Sequence, residues 1–140
     1  MTAFIVDASV GIKWFVPEIF QADAQRLQNS AYELHVPTLF DVELGSILWK
    51  KIRKGELTHP EADIILAQLP TVPLIKHAEL PLLKSAVDLA VQTQRSVYDC
   101  LYLALATQLS ALMVTADQKL HNALSTTPWA KDLCWIEDVP

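Results

Sequence analysis

Val97-Tyr98-Asp99-Cys100-Leu101-Tyr102-Leu103-Ala104-Leu105-Ala106-Thr107-Gln108-Leu109, followed by Ser110-Ala111-Leu112-Met113-Val114-Thr115-Ala116-Asp117, decides the fold. The first part is apolar on nearly every side, the mark of a helix buried inside a larger body. The second is a short apolar run that stops at an Asp and reads as a buried strand. Alternation of buried strands with helical segments is the pattern of a parallel sheet with helices packed on it.

The same alternation extends outward in both directions. Phe4-Ile5-Val6 is a strand stopping at Asp7, and Gly11 to Val16 reads as a short helix ended by Pro17. Gln21 to Ser30 is polar and helical; Leu34-His35-Val36 is a second strand, closed by Pro37. Thr38 reads as an N-cap with Asp41 in the place of a capping-box acid, opening a helix that reaches a basic last turn and Gly55. Thr58-His59-Pro60-Glu61 is a second capping box, and its helix ends at Pro70. Thr71 to Lys76 is strand-like, with Pro73 confining it to an edge or to a strand start. Leu80 to Gln94 is helical, a short helix follows Asp117 to about Leu124, and Asp132 to Ile136 is the last strand. The expectation is a single α/β domain over residues 1–140. Its core would be a central parallel sheet of roughly four to five strands with helices on both faces.

Composition narrows the function. Hydrophobic residues at 51% and charged residues at 19% exclude a disordered or fibrous chain. A net charge of −5 argues against a broadly basic, DNA-coating protein, but leaves room for an enzyme that meets a polyanion through a local patch. Cys100 and Cys134 form no CxxC and no Cys/His cluster, which argues against a disulfide framework, a structural zinc or a thioredoxin-like site. Gly11, Gly45 and Gly55 belong to no GxGxxG or GxxxxGK[ST] pattern, so a backbone cradle for nucleotide phosphates is excluded. The opening residues lack a basic leader region, and no apolar run approaches the roughly 18–20 residues of a membrane span. A soluble, cytoplasmic protein without a membrane partner is expected.

The acids carry the chemistry. If the strands before Asp7 and Asp117 are central and parallel, both carboxylates emerge at one edge of the sheet; capping of the following helix is the alternative for each. Asp99 lies in the first turn of the apolar helix, where the helix dipole favours it. An unpaired buried charge there costs several kcal/mol, so Asp99 needs a cation, a metal or a donor set, unless it serves as a capping residue. Glu43, between Val42 and Leu44, is by itself a flank residue and gains meaning only with the other three. Four gathered carboxylates repel one another unless a cation sits among them. Mg²⁺ and Mn²⁺ suit such oxygen donors. One or two such ions can activate a water, hold a phosphodiester for in-line attack and stabilise the charge that develops.

These residues resemble a known family. Asp7-Ala8-Ser9-Val10 with Lys13-Trp14-Phe15 and Pro17-Glu18 is similar to the opening of PIN-domain proteins, especially VapC-type toxins. Pro37-Thr38 with Glu43 resembles the stretch of the second acid, Tyr98 to Ala106 that of the third, and Val114-Thr115-Ala116-Asp117 with Leu120 that of the fourth. The resemblance runs in order over nearly the whole chain. It implies a Mg²⁺- or Mn²⁺-dependent endoribonuclease of a toxin–antitoxin pair. Asp7, Glu43, Asp99 and Asp117 would be its acidic site, with Asp7, Asp99 and Asp117 as metal ligands and Ser9 and Thr115 as supporting hydroxyls. It also implies an RNA substrate, a homodimer, and inhibition by a VapB-type antitoxin that supplies the DNA binding. In one departure, Lys119 stands where many members carry a further acid. That argues for one tightly held ion, with a second arriving with substrate.

Lys50, Lys51, Arg53 and Lys54 form a basic turn that either complements the helix dipole or tracks RNA phosphates; Lys13 and Lys119 are similar candidates. His35, His59, His77 and His121 share no metal-ligand spacing and read as surface or structural. Trp14, Phe15, Phe40 and Trp49 read as core or dimer packing, with base stacking as the alternative. A second functional class stays open: a catalytically silent PIN-like module whose acidic groove captures a basic partner segment or a structural cation. A third, aspartyl-phosphate chemistry, fits poorly, because Ser9 stands where a haloacid-dehalogenase-like phosphatase needs its second Asp.

Overall fold

The computed structural model describes residues 1–140. Its frame is a five-stranded, all-parallel sheet: β1 (Thr2–Val6), β2 (Tyr32–Pro37), β3 (Leu74–His77), β4 (Leu112–Thr115) and β5 (Leu133–Trp135). The strand order is β3-β2-β1-β4-β5. Consecutive strand residues point to opposite faces, and Phe4, Ile5 and Val6 are all buried, so both faces of β1 are covered. Pro73 lies just before β3, which is an edge strand, as its missing N–H requires.

Seven helices connect the strands: α1 (Ala8–Gly11), α2 (Gln21–Gln25), α3 (Leu39–Arg53), α4 (His59–Gln68), α5 (Leu80–Thr93), α6 (Val97–Leu109) and α7 (Gln118–Leu124). In α6 every residue from Cys100 to Ala106 is buried, which accounts for its all-apolar composition. It packs across β1, β2 and β4 and joins the one contiguous hydrophobic core. No helix is long and apolar enough to cross a membrane.

Local boundaries differ from the sequence reading at several points. Thr71 lies in a 3₁₀ turn over Leu69–Thr71, so the strand expected from Thr71 begins only at Leu74, after Pro73. The first helix begins directly after Asp7 and passes into a 3₁₀ turn over Ile12–Trp14, so the residues of the acid's own loop are helical. The Gln21–Ser30 segment splits into α2 and a 3₁₀ turn over Arg26–Gln28. Thr38 makes no cap of its own and has helical backbone angles. Its hydroxyl instead donates to Glu79, whose carboxylate also accepts the Leu39 N–H at 2.7 Å. Asp41 pairs with Lys76 and closes no capping box. The Thr58 box forms as expected, with Glu61 N–H to Thr58 Oγ1 at 3.2 Å and Thr58 N–H to Glu61 Oε1 at 3.0 Å. Gly11 admits the Phe40 ring of α3, since a Cβ at residue 11 would lie 2.5 Å from Phe40 Cζ.

Candidate active site

In an open parallel sheet the crevice forms where the strand order reverses, outside the carboxyl ends of the strands. Here that point lies between β1 and β4, which are hydrogen-bonded neighbours. Asp7 leaves the end of β1 and Thr115 ends β4, so the crevice opens on both.

Asp7 is buried, with 7% of its surface exposed. It begins α1 but caps nothing with its side chain. Its Oδ2 accepts the Ser9 hydroxyl at 2.9 Å and the Thr115 hydroxyl at 3.0 Å. The same two hydroxyls accept backbone N–H groups of the facing loop, Ala116 to Ser9 at 3.2 Å and Asp117 to Thr115 at 3.1 Å. Ser9 and Thr115 therefore lock Asp7 to the β4 loop. Burial pushes the Asp7 carboxyl up to about 7, against the lowering effect of the two hydroxyls; the charges of Asp99 and Glu43 add to the rise.

The other three acids come from three further elements. Glu43, in the second turn of α3, accepts the Tyr102 hydroxyl of α6 at 2.6 Å. Burial raises its pKa; the Tyr102 bond opposes that rise and the Asp99 charge adds to it. Burial also raises the Tyr102 phenol, and the Asp7 and Glu43 charges push it in the same direction. Asp99 is in the first turn of α6, which Ser96 caps by accepting the Asp99 N–H at 3.1 Å. Its side chain is only partly enclosed, at 26% exposure, and pairs with Arg95 at 3.4 Å. Burial raises its pKa, Arg95 lowers it, and Asp117 raises it again. Asp117 caps α7, its Oδ1 accepting the Leu120 N–H at 3.1 Å. The capping account thus holds for the Asp117 side chain and fails for Asp7.

Three of the four acids therefore bind protons more tightly than free carboxylates, and the charge of at least one other acid contributes to each rise. No group of His, Cys, Asp and Glu side chains is arranged to hold a metal ion. Each acid is satisfied instead by a protein donor: Ser9 and Thr115, Tyr102, Arg95, or the Leu120 N–H. The donor set nonetheless fits an oxygen-seeking divalent cation. It consists of carboxylates flanked by hydroxyls, and its mutual repulsion is what such a cation relieves.

The basic residues divide. A groove of about 290 Å³ beside the acids is lined by Ser9, Lys13, Lys50, Lys51 and Lys54, among others. Lys13 is buried and, with Lys51, is drawn to Glu18; Lys51 also reaches Glu56 at 3.6 Å. Lys13, one of the candidate RNA contacts, thus lines the groove with its charge paired to Glu18. Arg53 lies over the Trp49 ring, 4.8 Å from its centroid, and does not line the groove. Lys119 is exposed and also lies outside it. A separate concavity of about 900 Å³, lined by Met1, Tyr32, Leu34, Val72 and Leu74 among others, contains none of the four acids. Trp14 and Phe40 are core residues, and the Trp14 indole donates to the Ala24 carbonyl at 2.9 Å.

Sequence reasoning passed over Tyr102 and Arg95. A phenol amid the apolar residues of a buried helix calls for a polar partner, which was the available signal for Tyr102. For Arg95 the signal was its place four residues before Asp99, just ahead of the Ser96 cap.

Comparison with known proteins identifies the family and the fold. The PIN domain family model matches residues 4–123. The chain is 36% identical to Ribonuclease VapC3 of Pyrobaculum aerophilum over 118 residues, covering 83% of this chain and 90% of that protein. The crystal structure of PAE2754 from Pyrobaculum aerophilum superposes with a TM-score of 0.72 at 23% identity, over 97% of this chain and 85% of that one. A toxin–antitoxin complex from Klebsiella pneumoniae contains a chain similar in fold, with a TM-score of 0.60 at 12% identity and 96% coverage of both chains.

Proposed function

This chain belongs to the PIN domain family, as a VapC-type member, and on that premise we propose that it is a divalent-metal-dependent endoribonuclease, the toxin of a toxin–antitoxin pair. The carrying observation is that Asp7, Glu43 and Asp99, from separate elements, lie close enough for the charges of neighbouring acids, Asp117 among them, to raise their pKa values. The Pyrobaculum relative named a ribonuclease supports the activity, and the toxin–antitoxin structure supports an antitoxin partner. RNA in the cytoplasm is the substrate in this reading.

Asp7, Asp99 and Asp117 would hold Mg²⁺ or Mn²⁺. When bound, the ion supplies charge neutralisation at the phosphate and an acidified water. Ser9 and Thr115 keep the Asp7 carboxylate in one orientation through hydrogen bonds of 2.9 and 3.0 Å. Glu43 stands outside that ligand set and holds protons more tightly than a free carboxylate, which suits it to accept a proton from the attacking water. The water oxygen bonds to phosphorus as the bond to the leaving ribose oxygen breaks, and a proton is returned to that oxygen. Lys50 and Lys54, which line the groove beside Ser9, would follow the RNA backbone.

We extend the reading to a homodimer, supported by an apolar stripe left exposed along α5: Leu80, Leu83, Val87 and Val91, at 80%, 39%, 43% and 69% exposure. Such a stripe in a surface helix marks an interaction face.

The test is cleavage of total cellular RNA by purified protein with Mg²⁺, Mn²⁺ or EDTA, beside Asp99→Asn, with the new ends sequenced. Metal-dependent cuts that Asp99→Asn loses by at least about a hundredfold are expected. A folded, antitoxin-free chain that cuts nothing with either metal would overturn the nuclease and leave the silent binding module.

A further inference from the structure

We propose that Arg95 is a substrate-binding residue of this site, whose guanidinium takes the phosphate on which the acids act; the proposal rests on the nuclease reading above. Arg95 lies between Gln94, which ends α5 in the left-handed region at φ 59°, and Ser96, the cap of α6. It is the only Lys or Arg side chain paired with any of the four acids.

The pairing is loose and incomplete. One guanidinium nitrogen reaches Asp99 Oδ2 at 3.4 Å, well beyond the roughly 2.7–2.9 Å of a tight charge-assisted bond. Nε is buried and has no partner in the fold. The side chain is 26% exposed, at the same level as Asp99. A guanidinium serving only as a counter-ion gains most from a two-pronged grip on its carboxylate. This one keeps most of its donors uncommitted at the rim of an acidic crevice.

A phosphodiester approaching four carboxylates meets repulsion, and the lysines of the neighbouring groove are partly spent on Glu18. Arg95 is the cation placed to offset that repulsion beside Asp99. Its planar fork matches two phosphate oxygens, which an ammonium does not.

The experiment compares wild type, Arg95→Gln and Arg95→Lys. Affinity for a fluorescent RNA oligonucleotide is read across a salt series in Ca²⁺ buffer, and single-turnover cleavage across rising Mg²⁺. Arg95→Gln is expected to weaken binding roughly tenfold and to flatten the log K against log salt slope by about 0.7, the value of one phosphate contact on a single strand. Saturating Mg²⁺ should leave its cleavage low. Arg95→Lys should keep the salt slope and recover only part of the rate; because it keeps the charge, it carries the test if Arg95→Gln fails to fold. An unchanged slope, with cleavage restored by excess Mg²⁺, would mean that Arg95 merely neutralises Asp99 and would overturn the proposal. A wild type that cleaves while Arg95→Gln equals it refutes Arg95 alone. A wild type that neither binds nor cleaves RNA refutes the nuclease reading and Arg95 with it.

Discussion

Asp7 shows how the site sets function against stability. An aspartate in an unfolded chain titrates near 3.9; burial, with the neighbouring acids, raises this one to about 7 in the fold. Between those values the folded state keeps a proton that the unfolded state has released. Stability therefore falls as pH rises through that window, and the full penalty remains above it. Asp7→Asn cannot ionise and escapes the penalty. In EDTA at pH 8 it is expected to be more stable than wild type by the order of 2–4 kcal/mol, with the gain shrinking towards pH 4, while cleavage is lost. Melting curves at the two pH values check this, and an Asn variant that melts at or below wild type at pH 8 would contradict it. The special place of Asp7 was legible because an apolar strand runs straight into it. That Tyr102 would satisfy Glu43 was not, because the two lie 59 residues apart and meet only through packing of α6 against α3.

At the scale of elements, the two capping boxes expected from the sequence had different fates for one reason. Thr58 and Glu61 lie three residues apart and form their box within a single turn. Thr38 and Asp41 have the same spacing, but Glu79, arriving from beyond β3, supplies a carboxylate to the Leu39 N–H and takes the Thr38 hydroxyl as well. A charged acceptor at a helix N-terminus outcompetes a neutral hydroxyl. Hydrogen bonds from Thr38 and Leu39 hold the Glu79 carboxyl below its ordinary range. Its contribution is therefore present above the ordinary glutamate pKa and lost as pH falls through the lowered one. Glu79→Ala should destabilise the protein by about 1 kcal/mol at pH 7 and by much less below pH 4. Because α3 carries Glu43, cleavage should fall with it. Denaturant titrations at both pH values decide the point, and an equal loss at both would show that Glu79 acts through packing.

For the whole molecule, the parallel order β3-β2-β1-β4-β5 gathers acids that are scattered along the chain. Strand–helix alternation made the sheet legible, and Pro73 marked its edge. The order of the strands was not written in any one segment, since it depends on which edge each crossover returns to. The exposed α5 stripe is also a property of the assembled fold, because Leu82, Ala86 and Leu89 on the same helix face the core. Val87→Lys with Val91→Lys is expected to convert a dimer to a monomer in light scattering without lowering the melting temperature by more than a few degrees. A wild type that is monomeric at all concentrations would remove the dimer from the reading.

The sequence by itself determined the elements, the acids that close them and the family, since periodicity, apolar runs and motif spacing are local properties of the chain. Only the tertiary structure decided how Asp7 and Glu43 are held. Asp7 is tied to Thr115 across 108 residues, Glu43 to Tyr102 and the start of α3 to Glu79, while Lys13 is spent on Glu18. Hydrogen bonds and ion pairs act over a few ångströms, so their partners are chosen by packing, which no local pattern of residues records.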